Sequence, residues 1–334
     1  MSKNFGESST ASATFARFPE RNLEDISQGS IVVFGAPADS TLPRRSGCSK
    51  GPKAIRQATM NALSCYFNSP SKSVVSIDTG KTTRFRSEAV GIDLGDLADC
   101  TEVSTETLKQ IEKLTTGIND QGGLPVILGG DGRILEGFVN GLQRSLPELG
   151  VLVFSNRLDI PEANDLPSKA LSTLLTSKPS SESYPLLAIG TNGIQPHKNW
   201  KEIQKIHGNI ISAEDIHDQG IDAASNEIQQ FSLQNKQILC VVDAGVLDTG
   251  YAAGTPSLNV GGLSPLQLID ILSKTNFTEK LDQWIIKGGT IVGIRQGADW
   301  IQESLLEINI KENLLKQDSN TRYAYAEKES RDPL

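Results

Sequence analysis

Clustered histidines and paired cysteines are absent from this chain of 334 residues. Its histidines and cysteines are few and widely spaced: His197, His207, His217, Cys48, Cys65, Cys100 and Cys240. No two cysteines form a C-x-x-C pair, which argues against a zinc site and against a disulfide framework. Catalytic thiol chemistry is also disfavoured, because no histidine lies close in sequence to a cysteine. We therefore expect buried or incidental thiols in a reducing cytoplasm.

A net positive charge and long apolar segments are missing as well. The formal net charge is −8, which disfavours nucleic acid and anionic membranes as partners. No apolar run approaches the roughly 20 residues that cross a bilayer. The first 28 residues are polar and rich in serine, and they lack the apolar core of a signal peptide. These absences predict a cytoplasmic protein with no nucleic-acid and no membrane partner.

What the sequence does contain is a regular alternation of short apolar runs and helical patterns. The apolar runs predict strands over residues 30–37, 90–96, 125–131, 150–156, 185–191, 209–215, 237–245 and 289–295. Helical spacing between them predicts helices over residues 53–64, 104–120, 134–145, 222–233 and 265–273. This alternation is typical of a parallel sheet with helices on both faces. We predict one domain over residues 29–310, a flexible N-terminal arm over 1–28 and a charged C-terminal tail over 311–334.

The stretch LGGDGRILEG, residues 128–137, marks a point where a predicted strand ends and a helix begins at once. Open α/β sheets place their ligands at such points. The stretch lacks the GxxxxGK[ST] pattern of a phosphate loop and the GxGxxG pattern of a dinucleotide site. Taken alone, its glycines predict only a tight turn.

The order of several motifs along the chain is more informative than any one of them. They are GAPADSTLPRRSGCSKGPKAIR (35–56), GIDLGDL (91–97), LPVILGGDG (124–132), VLVFSNRLD (151–159) and CVVDAGVLDTGYAAGTPSLNVGGLSP (240–265). In this order and spacing they resemble the motifs of the ureohydrolase family, which includes arginase, agmatinase and formiminoglutamase. The resemblance implies a three-layer αβα fold with a central, mostly parallel, roughly eight-stranded sheet.

The same resemblance implies a metal site that has lost most of its ligands. Family members hold two divalent cations, usually manganese and sometimes nickel, which share a hydroxide that attacks a guanidinium carbon. The six ligand positions correspond here to Gly132, Ser155, Arg157, Asp159, Asp243 and Gly245. Only Asp159 and Asp243 keep a ligating side chain, so we expect neither a metal nor a catalytic residue in this chain.

Other functional positions of the family are changed too. No histidine precedes His197, so the family's proton-relay histidine has no counterpart, and we interpret all three histidines as surface or capping residues. The late acidic residue that receives the guanidinium aligns near Ala298. By contrast, Asp96, Asp131 and Asp248 are retained, and we predict scaffold roles for them.

Arg157 enters the predicted site at the end of the same strand as Asp159. A buried carboxylate needs a partner or becomes neutral, so one hypothesis pairs Arg157 with Asp159 or Asp243 in place of the metals' charge. Arg157→Ala should then destabilise the fold by a few kcal/mol. In the alternative, Arg157 points to solvent and Asp159 caps the following segment.

Three functions remain open at this point. The first is a non-catalytic subunit in a trimer- or hexamer-based hetero-oligomer with a catalytic homologue, which would hold the nickel or manganese. This pattern resembles metformin hydrolase, in which an active nickel subunit pairs with a metal-site-deficient one. The second is a stand-alone pseudoenzyme that binds or senses a guanidino compound. The third is a divergent C–N hydrolase with a rebuilt site.

Overall fold

The fold was analysed in a computed structural model. It describes residues 13–39, 47–62, 73–75, 82–84, 91–143, 149–157, 185–194, 201, 208–235, 237–255, 259–274 and 285–292. The strands are β1 Ile31–Ala36, β2 Ser73–Val75, β3 Thr82–Arg84, β4 Gly91–Asp96, β5 Leu124–Gly129, β6 Leu149–Phe154, β7 Leu186–Thr191, β8 Asn209–Ser212, β9 Gln237–Asp243 and β10 Ile285–Val292. The helices are α1 Gly51–Ala62, α2 Thr105–Asp120, α3 Ile134–Gln143, α4 Ala213–Gln219, α5 Ile221–Gln234 and α6 Pro265–Lys274.

Eight of these strands form one sheet, in the order β4-β1-β5-β10-β9-β6-β7-β8. Every neighbouring pair in it is parallel. The remaining strands, β2 and β3, form a small antiparallel pair of their own. The predicted parallel, roughly eight-stranded sheet is therefore confirmed.

Helices cover both faces of the sheet, as the continuous apolar strands require. Val151 and Val153 of β6 contribute to a core with α2 and α3. Leu152 and Phe154, which alternate with them, face a second core that α4, α5 and α6 complete. Helix α1 covers the same face of the sheet as α4, α5 and α6, but packs on β1 and β5. The three-layer arrangement is that of the predicted αβα fold. Among the described helices, none combines the length and apolarity needed to span a membrane.

The prediction of a strand over 209–215 is correct only in its first half. Strand β8 ends at Ser212, and α4 begins at the next residue. The Ser212 hydroxyl accepts a hydrogen bond from the Asp215 amide, and the Asp215 carboxylate accepts one from the Ser212 amide. This capping box turns the chain into a helix at once. The β2–β3 pair was not predicted either.

The N-terminal arm is a second difference. Residues 13–28, which the sequence analysis included in a flexible arm, pack against the domain, while residues 1–12 lie outside the described part. Phe15 and Phe18 are buried against α1 and β1. The Phe15 amide donates to the Asp93 carboxylate at 2.7 Å, and the chain from Pro19 to Arg21 pairs with the backbone of Asp93. The polar composition of residues 1–28 hid the packing role of Phe15 and Phe18.

Gly91 makes room for this packed segment. A Cβ at Gly91 would lie 2.1 Å from the ring of Phe18. We expect Gly91→Ala to lower the free energy of unfolding by about 1–3 kcal/mol, because the ring must move. Urea denaturation measures the change. Gly117→Ala in α2 is the control: a Cβ there has no atom within 4 Å, and alanine should stabilise the helix by about 0.5–1 kcal/mol. An equal cost of Gly91→Ala in a Phe18→Ala background would contradict the assigned contact.

Candidate functional site

The carboxyl edge of the sheet collects the described residues of the predicted site. Strands β5, β6 and β9 are parallel members of one sheet, so their carboxyl ends lie at the same edge. Gly132 follows β5, Ser155 and Arg157 follow β6, and Asp243 ends β9. Gly245 lies in the short 3-10 turn Ala244–Val246 that continues from β9. Asp159 and Ala298 lie outside the described residues, as do His197 and His207.

Asp243 forms hydrogen bonds through both carboxylate oxygens. Oδ1 accepts from the backbone N–H of Gly245 at 2.8 Å. Oδ2 accepts from the Ser155 hydroxyl at 3.2 Å, and the Ser155 oxygen accepts from the Arg157 amide at 3.3 Å. Asp243 thereby caps the 3-10 turn and ties the end of β9 to the end of β6. The predicted pairing of Arg157 with Asp159 or Asp243 stays a prediction.

Space is open at Gly132. A Cβ built there meets no other atom within 4 Å, and its φ lies outside the left-handed region. Its neighbour Asp131 accepts hydrogen bonds from the amide of Arg133 at 2.9 Å and from its Nε at 3.1 Å. The Arg133 side chain is buried, and its Nη2 has no hydrogen-bond partner. Asp131 thus holds the turn between β5 and α3.

Gly245 is held more tightly than Gly132. A Cβ there would lie 3.1 Å from Oδ1 of Asn156 and 3.1 Å from Oδ1 of Asp243. From the other side, the amide of the buried Asn259 donates to the carbonyls of Gly245 and Val246 at 2.9 and 3.1 Å. Asn259 therefore fixes the turn that carries Gly245. Sequence reasoning missed both asparagines.

The carboxylates of Asp96 and Asp248 accept hydrogen bonds from neighbouring residues of the fold. Asp96 accepts from Arg56 of α1. Asp248 accepts from the amide of Gly250 at 2.7 Å and from that of Gly261 at 2.8 Å. These two amides hold the pKa of Asp248 below its usual range. His217 lies on α4, exposed, with its ring near the carbonyl of Gly261.

Cys48 is a further member of the site that the sequence did not single out. Burial first, and then the charges of Asp39, Asp131 and Asp243, raise the pKa of its thiol to about 12. The buried thiol is therefore in its protonated form at neutral pH. Its neighbours Gly47 and Ser49 both donate hydrogen bonds to Asp39, which follows β1. The sequence could have indicated this position of Cys48. The residue lies between β1 and α1, in a segment that starts at the carboxyl edge of the sheet.

The buried thiols give a pH prediction. Burial raises the pKa of Cys240 to about 12 and, with a contribution from Asp96, that of Cys100 to about 11. At pH 8 we expect iodoacetamide to label Cys48, Cys100 and Cys240 at least about a hundredfold more slowly in the native than in the unfolded protein. Mass spectrometry after timed labelling measures this.

The raised pKa values of the three thiols also make the stability of the fold depend on pH. Unfolded thiols ionise near pH 8.5, whereas the folded ones ionise near pH 11–12. Their contribution to stability is therefore complete below about pH 8 and is lost as the pH rises toward 12. Rapid labelling of Cys48 in the native protein would contradict its burial.

The described residues do not fit a binuclear metal centre. Of the ligand positions they include, Gly132, Ser155, Arg157 and Gly245 offer no carboxylate or imidazole. Within the ranges that the structure covers, no group of three His, Cys, Asp or Glu side chains could hold a metal ion. The observed contacts join these positions to one another and to the backbone.

Comparison with known families identifies this architecture. The sequence model of the arginase family matches residues 29–282. The chain belongs to the arginase family. Arginase-family relatives include the agmatinase of Bacillus anthracis, 20% identical over 267 residues that cover 73% of this chain and 77% of the relative. The formimidoylglutamase of Halalkalibacterium halodurans is 24% identical over 266 residues, covering 75% and 77%.

Solved structures share the arginase-family fold. The formimidoylglutamase of Bacillus subtilis superposes with a TM-score of 0.71 at 20% identity, over 94% of this chain and 96% of that one. The agmatine ureohydrolase of Thermoplasma volcanium has a TM-score of 0.67 at 18% identity, over 91% and 96%. At these identities the superpositions show the fold. The ureohydrolase fold predicted from the motifs is therefore confirmed.

Proposed function

We propose that this chain is a non-catalytic, metal-site-deficient subunit that assembles with a catalytic, binuclear-metal homologue of the arginase family. The hydrogen bonds of the Asp243 carboxylate are the main support for this proposal. Its two oxygens accept hydrogen bonds from Ser155 and Gly245, and both partners stand where the family resemblance places further carboxylate ligands. A carboxylate engaged in this way stabilises the strand ends.

The chemistry in this proposal belongs to the partner. Its nickel or manganese would supply an activated water at neutral pH. Addition of that water to a guanidino or biguanide carbon, followed by cleavage of a C–N bond, yields an amine and a urea-type product. Metformin-type compounds are among the candidate substrates. The present chain contributes its retained fold, and through it a surface on which subunits of a ring can assemble.

Co-expression tests the assembly. The chain is produced alone and together with a homologue from the same genome that has intact G-G-D-H and D-A-H-x-D motifs. We expect this chain alone to bind less than stoichiometric metal and to release no urea-type product. The co-expressed pair should elute as one trimer- or hexamer-based complex that is active. Turnover by this chain alone, with a full equivalent of metal, would overturn the proposal.

A stand-alone guanidino-binding protein is the second candidate, and the open space at Gly132 favours it. That space adjoins Asp131, and the carboxylate of Asp243 ends β9 at the same edge of the sheet. A guanidinium ion fits such a negative environment. Calorimetric titration of the chain alone with agmatine distinguishes the two functions. Binding that Asp243→Asn abolishes would support the second candidate, and absence of heat would reject it.

A further inference from the structure

Four apolar side chains protrude at the carboxyl edge of the sheet, around the loop that follows β9. Ile194 is fully exposed, Val260 is 86% exposed, Leu266 66% and Tyr251 55%. We call these four residues the Val260 surface. Tyr251 and Val260 lie in the loop between β9 and α6, Leu266 lies in the first turn of α6, and Ile194 follows β7. Exposed apolar side chains at one edge of a domain are typical of a protein-binding surface.

Hydrogen bonds hold the loops of the Val260 surface together. The side-chain amide of Asn192 donates to the carbonyl of Val260 at 3.0 Å, which joins the chain after β7 to the loop after β9. The next amide, that of Gly261, donates to Asp248. Thr249 and Asn259 exchange backbone and hydroxyl hydrogen bonds across the base of the loop. Val260 is therefore presented by a fixed backbone, and a preorganised loop loses little entropy when a partner binds.

Acidic residues outnumber basic ones in the part of the chain that carries Tyr251, Val260 and Leu266. From residue 208 to residue 273 the sequence has a single lysine, Lys236, and no arginine, while its acidic residues are Glu214, Asp215, Asp218, Asp222, Glu227, Asp243, Asp248 and Asp270. Asp218 is exposed on α4, next to His217, whose ring contacts Gly261 and Gln267. Two copies of this surface face to face would bring like charges together. Charge complementarity therefore favours a different surface, one that has lysines or arginines around an apolar depression.

We infer that the Val260 surface docks a basic face of the catalytic partner, an inference that rests on the proposed hetero-oligomer. Ile194 and Val260 follow the carboxyl ends of β7 and β9, at the same edge as Asp243. A partner seated there lies beside the site described above.

The test compares two aspartate substitutions at exposed apolar residues. Val260→Asp changes the proposed contact. Leu233→Asp is the matched control, because Leu233 is 55% exposed but ends α5, just before the amino end of β9 and at the opposite edge of the sheet. Each variant is mixed with the purified catalytic homologue, and the dissociation constant is measured by sedimentation velocity. Circular dichroism of each variant checks its fold.

We expect Val260→Asp to weaken the complex by at least about 30-fold and Leu233→Asp to leave it within about threefold. Asp218→Lys should slow association and reduce its dependence on salt concentration. Equal binding by wild type and Val260→Asp would overturn the docking surface and leave the proposed function standing. Absence of any complex with wild type would overturn both. Self-association of the chain that Val260→Asp abolishes would assign the surface to a second copy and overturn the inference.

Discussion

Replacing Arg56 with alanine is expected to lower the free energy of unfolding by about 3–5 kcal/mol. The Arg56 guanidinium is buried and donates from Nε and Nη2 to the two oxygens of Asp93, at 2.8 and 2.9 Å. Its Nη1 donates to Asp96. Burial opposes the charge of Arg56, but the two aspartates raise its pKa above the usual value. Alanine would leave the Asp93 carboxylate, which is 1% exposed, without its cation.

Asp93 also anchors the N-terminal segment, so the variant has a second expected effect. The Phe15 amide donates to the same carboxylate, and we expect faster hydrogen exchange at Phe15 in Arg56→Ala than in wild type. Arg21→Ala is the control for stability, because Arg21 is exposed and its loss should cost less than about 0.5 kcal/mol. If both variants unfold at the same urea concentration, the ion pair does not stabilise the fold.

The strands of the eight-stranded sheet were predictable because their apolar runs are typical of strands buried on both faces, and the motifs predicted the fold. Elements that depend on a few polar contacts were not predictable in the same way. Helix α4 starts where Ser212 and Asp215 cap each other, three residues before the predicted end of the strand. The N-terminal segment docks through two phenylalanines and through hydrogen bonds to the carboxylate and backbone of Asp93. Such contacts join residues that are distant in sequence, and periodicity within one segment cannot show them.

The candidate site, like the fold, was predictable from the sequence only in part. Motif spacing predicted which strand ends carry Gly132, Ser155, Asp243 and Gly245, because parallel strands end at one edge. The contacts that now hold this edge were not predictable. Asn259 acts through its side-chain amide, the side chain of Asn156 lies beside Gly245, and Cys48 enters from the segment after β1. Their roles depend on packing between strands that are far apart in the chain.

Restoring the lost ligands is expected to give this chain a metal site. The variant combines Gly132→His, Ser155→Asp, Asn156→Ala, Arg157→His and Gly245→Asp, and retains Asp159 and Asp243. It should hold about two manganese or nickel ions per chain, whereas wild type should hold less than one. Four carboxylates would then balance the charge of two dications, and oxygen ligands with two imidazoles suit these ions.

The backbone of the described positions accepts this change. A Cβ at Gly132 meets no atom within 4 Å, and the 3.1 Å contact between a Cβ at Gly245 and Asn156 disappears with Asn156→Ala. The other 3.1 Å contact, with Oδ1 of Asp243, remains, so the Asp243 carboxylate must shift slightly to make room. Loss of the Ser155 hydroxyl removes one hydrogen bond from Oδ2 of Asp243. Neither glycine has a φ in the left-handed region, so side chains at both positions are compatible with the fold.

Metal content after dialysis, measured by mass spectrometry, decides the outcome. Bound metal should also stabilise the variant, by about 2.7 kcal/mol at a hundredfold excess over the dissociation constant. The matched control adds Asp243→Asn to the same five substitutions and should lose most of the metal, because a neutral amide then replaces the carboxylate at the end of β9. A folded five-substitution variant without metal would show that this edge of the sheet is not a former metal site. The proposal of a deficient subunit would then lose its structural basis, because that proposal requires a scaffold that still fits the ligands it lacks.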